Sequence, residues 1–151
     1  MLMSYEEFMT EAEAFVASNS NWHVQAFDAS GLICGLRRTS LLKNVNLDLH
    51  LLYSPSYQSP VLMFKPAYLS GQPLSSSEIQ DLFSLKEETF HALMTQELHP
   101  MLNLPYWTVH TCNVSEICQA PGTESRPPGQ FITMWLSIFM NILCLPPSQL
   151  M

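Results

Sequence analysis

Cys112 closes the run Tyr106-Trp107-Thr108-Val109-His110-Thr111-Cys112, with Met94-Thr95-Gln96-Glu97-Leu98-His99-Pro100 a little upstream. One thiol therefore sits at the end of an amphipathic strand, in the polar, turn-prone setting Thr111-Cys112-Asn113. A thiol attacks only as thiolate, which needs partial exposure and polar neighbours, so this setting suits a nucleophile. In extended geometry His110 and Cys112 share a face, about 6.6 Å apart along the strand. The plain alternative is a packed core cysteine, because free Cys is among the most buried residue types. His110, Cys112 and Cys118 could in principle supply three metal ligands, but no CxxC pair accompanies them. Neither a metal nor another cofactor is expected.

The elements that must position this thiol can be read from hydrophobic spacing. Ser4 with Glu7 forms a capping box, and Tyr5, Phe8, Met9, Ala12, Phe15 and Val16 follow at three- and four-residue intervals, predicting a helix over 5–17. Two short strands are expected at 22–27 and 32–38, around the turn Asp28-Ala29-Ser30-Gly31. Val45, Leu47, Leu49, Leu51 and Tyr53 alternate with Asn46, Asp48, His50, Leu52 and Ser54, which predicts a strand with one packed and one largely polar face. On that reading His50 is a solvated histidine. A proline-bounded turn at 54–60 then leads to the apolar run 61–64, completing an antiparallel hairpin.

A second capping box, Ser75 with Glu78, opens a short helix carrying Ile79, Leu82 and Phe83. From 86 to 104 the pattern is ambiguous: Phe90, Leu93 and Met94 keep helical spacing, whereas His99-Pro100 and Leu104-Pro105 interrupt it. There His99 reads as a turn-shaping residue. The segment 120–129 has loop composition, and a closing helix is expected to bury Phe131, Trp135, Ile138, Phe139 and Ile142. Helix, antiparallel meander, irregular cysteine-bearing segment and helix together predict an α+β fold with helices packed on one face of the sheet.

At 151 residues, 47% apolar and only 13% charged, the chain should form a single packed domain spanning 1–151. Six Lys and Arg against thirteen Asp and Glu leave a formal charge of −7 and no basic stripe, which argues against nucleic-acid binding and favours basic partner surfaces. No secretory signal opens the sequence, so its four cysteines are expected as free thiols in the cytoplasm. The apolar run 131–145 falls short of the roughly 20 residues needed for a membrane span.

Three stretches carry a likeness beyond composition: Leu52-Tyr53-Ser54-Pro55-Ser56-Tyr57-Gln58-Ser59-Pro60-Val61-Leu62, the segment from Thr95 to Pro100 with His110-Thr111-Cys112, and Ile132-Thr133-Met134-Trp135-Leu136-Ser137-Ile138. In these motifs, in their order and over nearly its whole length, the chain resembles the autophagy branch of the ubiquitin-conjugating-enzyme fold. Within it, the likeness is to enzymes that pass a ubiquitin-like modifier to an acceptor lysine. The resemblance implies that Cys112 carries the modifier, autophagy-related protein twelve, as a thioester. It further implies that the activating enzyme is autophagy-related protein seven, and that the acceptor lysine lies on autophagy-related protein five, reached without a separate ligase. Residence would be cytoplasmic, with transient presence at the pre-autophagosomal structure.

The second chemical step is aminolysis through a tetrahedral oxyanion, which needs a hydrogen-bond donor. The His-Pro-Asn tripeptide of ordinary ubiquitin-conjugating enzymes is missing here. By the family pattern His110 and Tyr57 lie beside the thiol and could donate in its place; Tyr57 as a packing plug is the plain alternative. Glu116 is a candidate for assisting proton loss from the lysine, against the reading of a solvated loop carboxylate. Thr111 stands where the family commonly has Pro, which changes backbone stiffness next to the nucleophile.

Two rival readings remain. The lipidating sister enzyme, autophagy-related protein three, carries a long acidic insertion and an amphipathic membrane helix, for which this sequence has no room. A non-catalytic RWD-like module shares the helix-then-meander layout but lacks the nucleophile. A papain-like protease is disfavoured because no Cys opens a helix.

Overall fold

In this computed structural model the described residues are 3–27, 34–109 and 129–143. The first helix, α1 (Tyr5–Ser18), begins where expected. The Ser4 hydroxyl accepts from the Glu7 N–H at 3.1 Å and the Glu7 carboxylate accepts from the Ser4 N–H at 2.8 Å, so two otherwise orphaned donors are satisfied. Phe8, Ala12 and Phe15, spaced by four and three, are its buried stripe.

Four antiparallel strands follow: β1 (His23–Ala26), β2 (Cys34–Leu42), β3 (Val45–Ser54) and β4 (Ser59–Tyr68). The second is longer than the 32–38 run suggests, because it continues to a two-residue turn between the paired Leu42 and Val45. Lys43 and Asn44 both adopt positive φ, 49° and 64°, the geometry whose twist matches a hairpin. β4 likewise exceeds its apolar run and contains Pro60 and Pro66. Among the described residues β4 pairs on its other side with β6 (Pro105–Val109) at Met63 and Phe64, away from both prolines, which have no N–H to donate.

The ambiguous stretch resolves into α3 (Glu87–Leu93) running directly into β5 (Met94–Leu98), after α2 (Ser76–Leu82) with its Ser75–Glu78 capping box. β6 (Pro105–Val109) returns antiparallel to β5 and inserts between it and β4, giving the strand order β1-β2-β3-β4-β6-β5. The last element, α4 (Gln130–Ile142), starts at Gly129 with φ 93°. A Cβ there would stand 3.0 Å from the α1 backbone at Ala14 and Phe15, and the Gly129 N–H donates to Glu11 at 2.6 Å. Only glycine permits both the conformation and the close approach of the two helices.

All four described helices contribute to one large apolar cluster on one face of the sheet, with Phe8, Ile79, Phe90, Trp135 and Phe139 packed on Leu36, Leu47, Leu49, Leu51, Leu62 and Phe64. This is the α+β arrangement expected, with Ile132, Leu136 and Met140 joining Trp135 and Phe139 as the buried residues of α4, while Phe131 and Ile138 are half-buried. The opposite face carries a smaller cluster of Phe27, Leu52, Met63 and Tyr106. That cluster corrects the reading of β3: its second face is polar at Asn46 and Asp48 but closed over at His50 and Leu52. His50 is 1% exposed and is not a solvated histidine. Among the described residues no helix is long and apolar enough to cross a membrane.

Candidate active site

The turn joining β3 to β4 carries Tyr57. Its backbone N–H donates to the Ser54 hydroxyl at 3.3 Å, Gln58 takes a positive φ of 50°, and the Gln58 carbonyl accepts from the Met3 N–H at 2.9 Å, so the turn is tied to the start of the chain. Tyr57 is 68% exposed, which removes the packing-plug reading and leaves its hydroxyl accessible. It stands at the rim of a cavity of about 750 Å³ whose lining includes Tyr53, Leu52, Met63, Leu98 and Met101. The lining is largely apolar, with Ser54, Ser56, Gln58 and Glu97 as polar members.

β6 passes beside this cavity: Thr108 pairs with Met63, one of the lining residues. Val109 ends the strand and is buried. His110, Cys112 and Glu116 lie outside the described residues, so of the four candidate site residues expected from sequence, Tyr57 alone has a described position. Cys34 is the cysteine in described territory; it is half-buried in the cavity lining and its backbone N–H donates to the Tyr5 hydroxyl at 2.9 Å.

Sequence reasoning missed a buried polar group adjoining the cavity. Asp48 and His50 project from the same face of β3, and the His50 Nε2 is 3.1 Å from one Asp48 carboxylate oxygen. The same oxygen accepts from Arg37 Nε at 2.9 Å, while the other accepts from the Tyr106 hydroxyl at 3.1 Å. His50 Nδ1 lies 3.0 Å from His99 Nε2, and His99 Nδ1 accepts from the backbone N–H groups of Met101 and Leu102, each at 3.1 Å. The expectation that His99 shapes a turn therefore holds, with a role across the sheet added. The i, i+2 spacing of Asp48 and His50 was a visible signal, whereas the pairing with His99 was not.

The electrostatics follow from burial and these bonds. Burial lowers the His99 pKa from 6.5 to about 4, so the ring is neutral at physiological pH. Burial pushes Asp48 the other way, but hydrogen bonds from His50 and Arg37 and the guanidinium charge outweigh it and hold the carboxylate at about 2. Tyr106, buried and next to that carboxylate, is raised to about 12 and stays protonated. Among the described residues no cluster of His, Cys, Asp and Glu is arranged to hold a metal ion.

Residues 6–148 match the family model described as the active-site domain of autophagocytosis-associated protein. The chain is 31% identical over 105 residues to the ubiquitin-like-conjugating enzyme ATG10 of Homo sapiens, a match covering 62% of this chain and 46% of that protein. With the Arabidopsis thaliana ubiquitin-like-conjugating enzyme ATG10 the identity is 29% over 107 residues, covering 64% and 48%. The matches thus span about half the length of these curated relatives. Among solved structures, a crystal structure of the autophagic E2 Atg10 superposes with a TM-score of 0.61 at 19% identity, covering 95% of this chain and 98% of that one. The solution structure of KmAtg10 gives 0.55 at 16% identity, covering 95% and 96%. At these identities the two structures establish a shared fold.

Proposed function

From the premise that this chain belongs to the family of autophagocytosis-associated active-site domains, we propose that it is a ubiquitin-like-conjugating enzyme whose thioester-forming residue is Cys112. One catalytic domain would span 1–151. The observation that carries this reading is the family match over 6–148. The cavity beside β6 supports it, with Tyr57 at its rim. Cys112 follows the end of β6 by three residues, a covalent reach of no more than about 11 Å.

In this reading the Cys112 thiolate attacks the thioester carbonyl of a modifier held on the activating enzyme's cysteine, whose thiolate leaves. Both groups are thiols, so the exchange is nearly isoenergetic and needs no steep depression of the Cys112 pKa; a very low value would weaken the nucleophile. An acceptor lysine, deprotonated, then attacks the new thioester, and collapse of the tetrahedral oxyanion releases the Cys112 thiolate and forms the amide. Tyr57, with its exposed hydroxyl, and His110 are the proposed oxyanion donors. Glu116 is the proposed aid to lysine deprotonation. The modifier is autophagy-related protein twelve, the activating enzyme autophagy-related protein seven and the acceptor autophagy-related protein five. The reactions would take place in the cytoplasm and transiently at the pre-autophagosomal structure.

The test is reconstitution with activating enzyme, ATP and modifier. The chain should acquire an adduct cleaved by reductant, and Cys112→Ser should convert it to an ester that resists thiols and yields to alkali. Tyr57→Phe should still charge but discharge to the acceptor lysine roughly 100-fold more slowly, the usual effect of losing one oxyanion donor. A reductant-sensitive adduct persisting in Cys112→Ser would place the nucleophile elsewhere, and no adduct in the wild type would end the enzymatic reading.

A further inference from the structure

We propose that Asp48, His50 and His99 form a positioning relay that clamps the β5–β6 hairpin onto β3, and that His99 thereby sets both a wall of the cavity and the strand leading to Cys112. The activity arm of this proposal rests on the conjugating-enzyme reading; its structural arm does not.

The reason a clamp here matters lies in what the hairpin carries. Among the described residues β6 joins β4 at Met63 with Thr108 and Phe64 with Trp107. Two things of consequence ride on this hairpin. One is the 99–104 turn, which brings Pro100 and Met101 into the cavity lining. The other is β6, whose chain continues to position 112.

The relay supplies a side-chain attachment between this hairpin and β3, and its bonds admit one arrangement of protons. Two backbone N–H groups, of Met101 and Leu102, converge on His99 Nδ1, so that nitrogen is an unprotonated acceptor and the ring proton is on Nε2. Nε2–H must then donate to His50 Nδ1, which leaves the His50 proton on its own Nε2, donating to Asp48. Asp48 is itself anchored by Arg37 from β2 and by the Tyr106 hydroxyl from β6. Both imidazoles are 1% exposed. They pack with Phe27 and Tyr106 at centroid distances of 4.8 to 5.4 Å, so neither ring is free to flip. The chain of bonds thus runs from the 99–104 turn, over the face of β6 and β4, to the centre of the sheet at β3. The low pKa of His99 keeps that ring neutral at physiological pH.

Long-range ¹H–¹⁵N spectra of the wild-type protein should show both His50 and His99 as Nε2–H tautomers, with slow amide exchange at Met101 and Leu102. In single-turnover discharge, His99→Asn retains an acceptor for the turn amides but cannot reach His50. It and His50→Gln should each lower the maximal rate about tenfold, leave acceptor KM within twofold, and in combination be no worse than either alone. Tyr106→Phe keeps the ring, removes only the hydroxyl on Asp48, and should lower the same rate about threefold even if the histidine variants fold poorly. An Nδ1–H tautomer at either histidine would overturn the relay, as would multiplicative effects in the double variant or full activity in His99→Asn. A wild type that forms no thioester would instead sink the proposed function, with the tautomer and exchange measurements still deciding the clamp.

Discussion

Protonating His99 would turn its Nδ1 into a donor facing two backbone N–H donors, so acid destabilises the fold at that ring. Its pKa is about 4 in the folded chain against an ordinary 6.5. The unfolded chain therefore binds the extra proton between those values. Stability from this group is complete above about pH 6.5 and is lost as the pH falls towards 4, a window worth about 3 kcal/mol. Asp48 adds a second, more acidic loss between its ordinary 3.8 and about 2. Denaturant melts at a series of pH values should show the wild type losing more stability than His99→Asn between pH 6.5 and 4. Parallel curves would contradict the pKa assignment.

At the level of elements, the seam between β2 and β3 depends on Gly35. A Cβ at that position would lie 2.8 Å from the Leu51 carbonyl oxygen and 2.8 Å from a Leu52 methyl, with Phe27 at 3.0 Å. The methyl of Leu52 can give, but the Leu51 carbonyl belongs to the sheet backbone and cannot move without opening the strand pair. Gly35→Ala is expected to cost about 1 to 3 kcal/mol, as overpacking of a closed site does. Chemical denaturation would check this, and an unchanged midpoint would mean that the strands separate more easily than their packing suggests. The elements themselves were readable where the signals are local. The capping boxes at Ser4 and Ser75 and the apolar stripe of α1 fall where spacing predicts, because each is set by groups three or four residues apart. β2 and β4 outrun their apolar runs because strand ends are set by partners: a two-residue turn for one and the ten-pair ladder with β3 for the other.

For the molecule as a whole, charge bears on which of two related chemistries it serves. The net charge is −7, and Glu6, Glu7 and Glu13 lie on the exposed side of α1. An acidic outward face is repelled by anionic lipid, whereas membrane-binding helices carry Lys and Arg there. The protein should therefore not co-sediment with vesicles containing anionic phospholipid. Strong binding would move the reading from a protein-acceptor enzyme towards the lipidating sister. The same acidity favours encounter with a basic acceptor surface.

What the sequence determined by itself was the class of fold, the starts of α1 and α2, the β3 alternation and the motifs that carry the family likeness, since all of these are written in neighbouring residues. Tyr57 was named through the family likeness of its turn, and its exposure at the cavity rim came only with the folded hairpin. His50 looked solvated because its own strand alternates cleanly, yet the partner that buries it is 49 residues away, and two strands lie between β3 and β5. Whether a polar face meets water or another part of the chain depends on what folds over it. No period along one strand encodes that, and here the tertiary structure decided it in favour of a buried Asp–His–His chain.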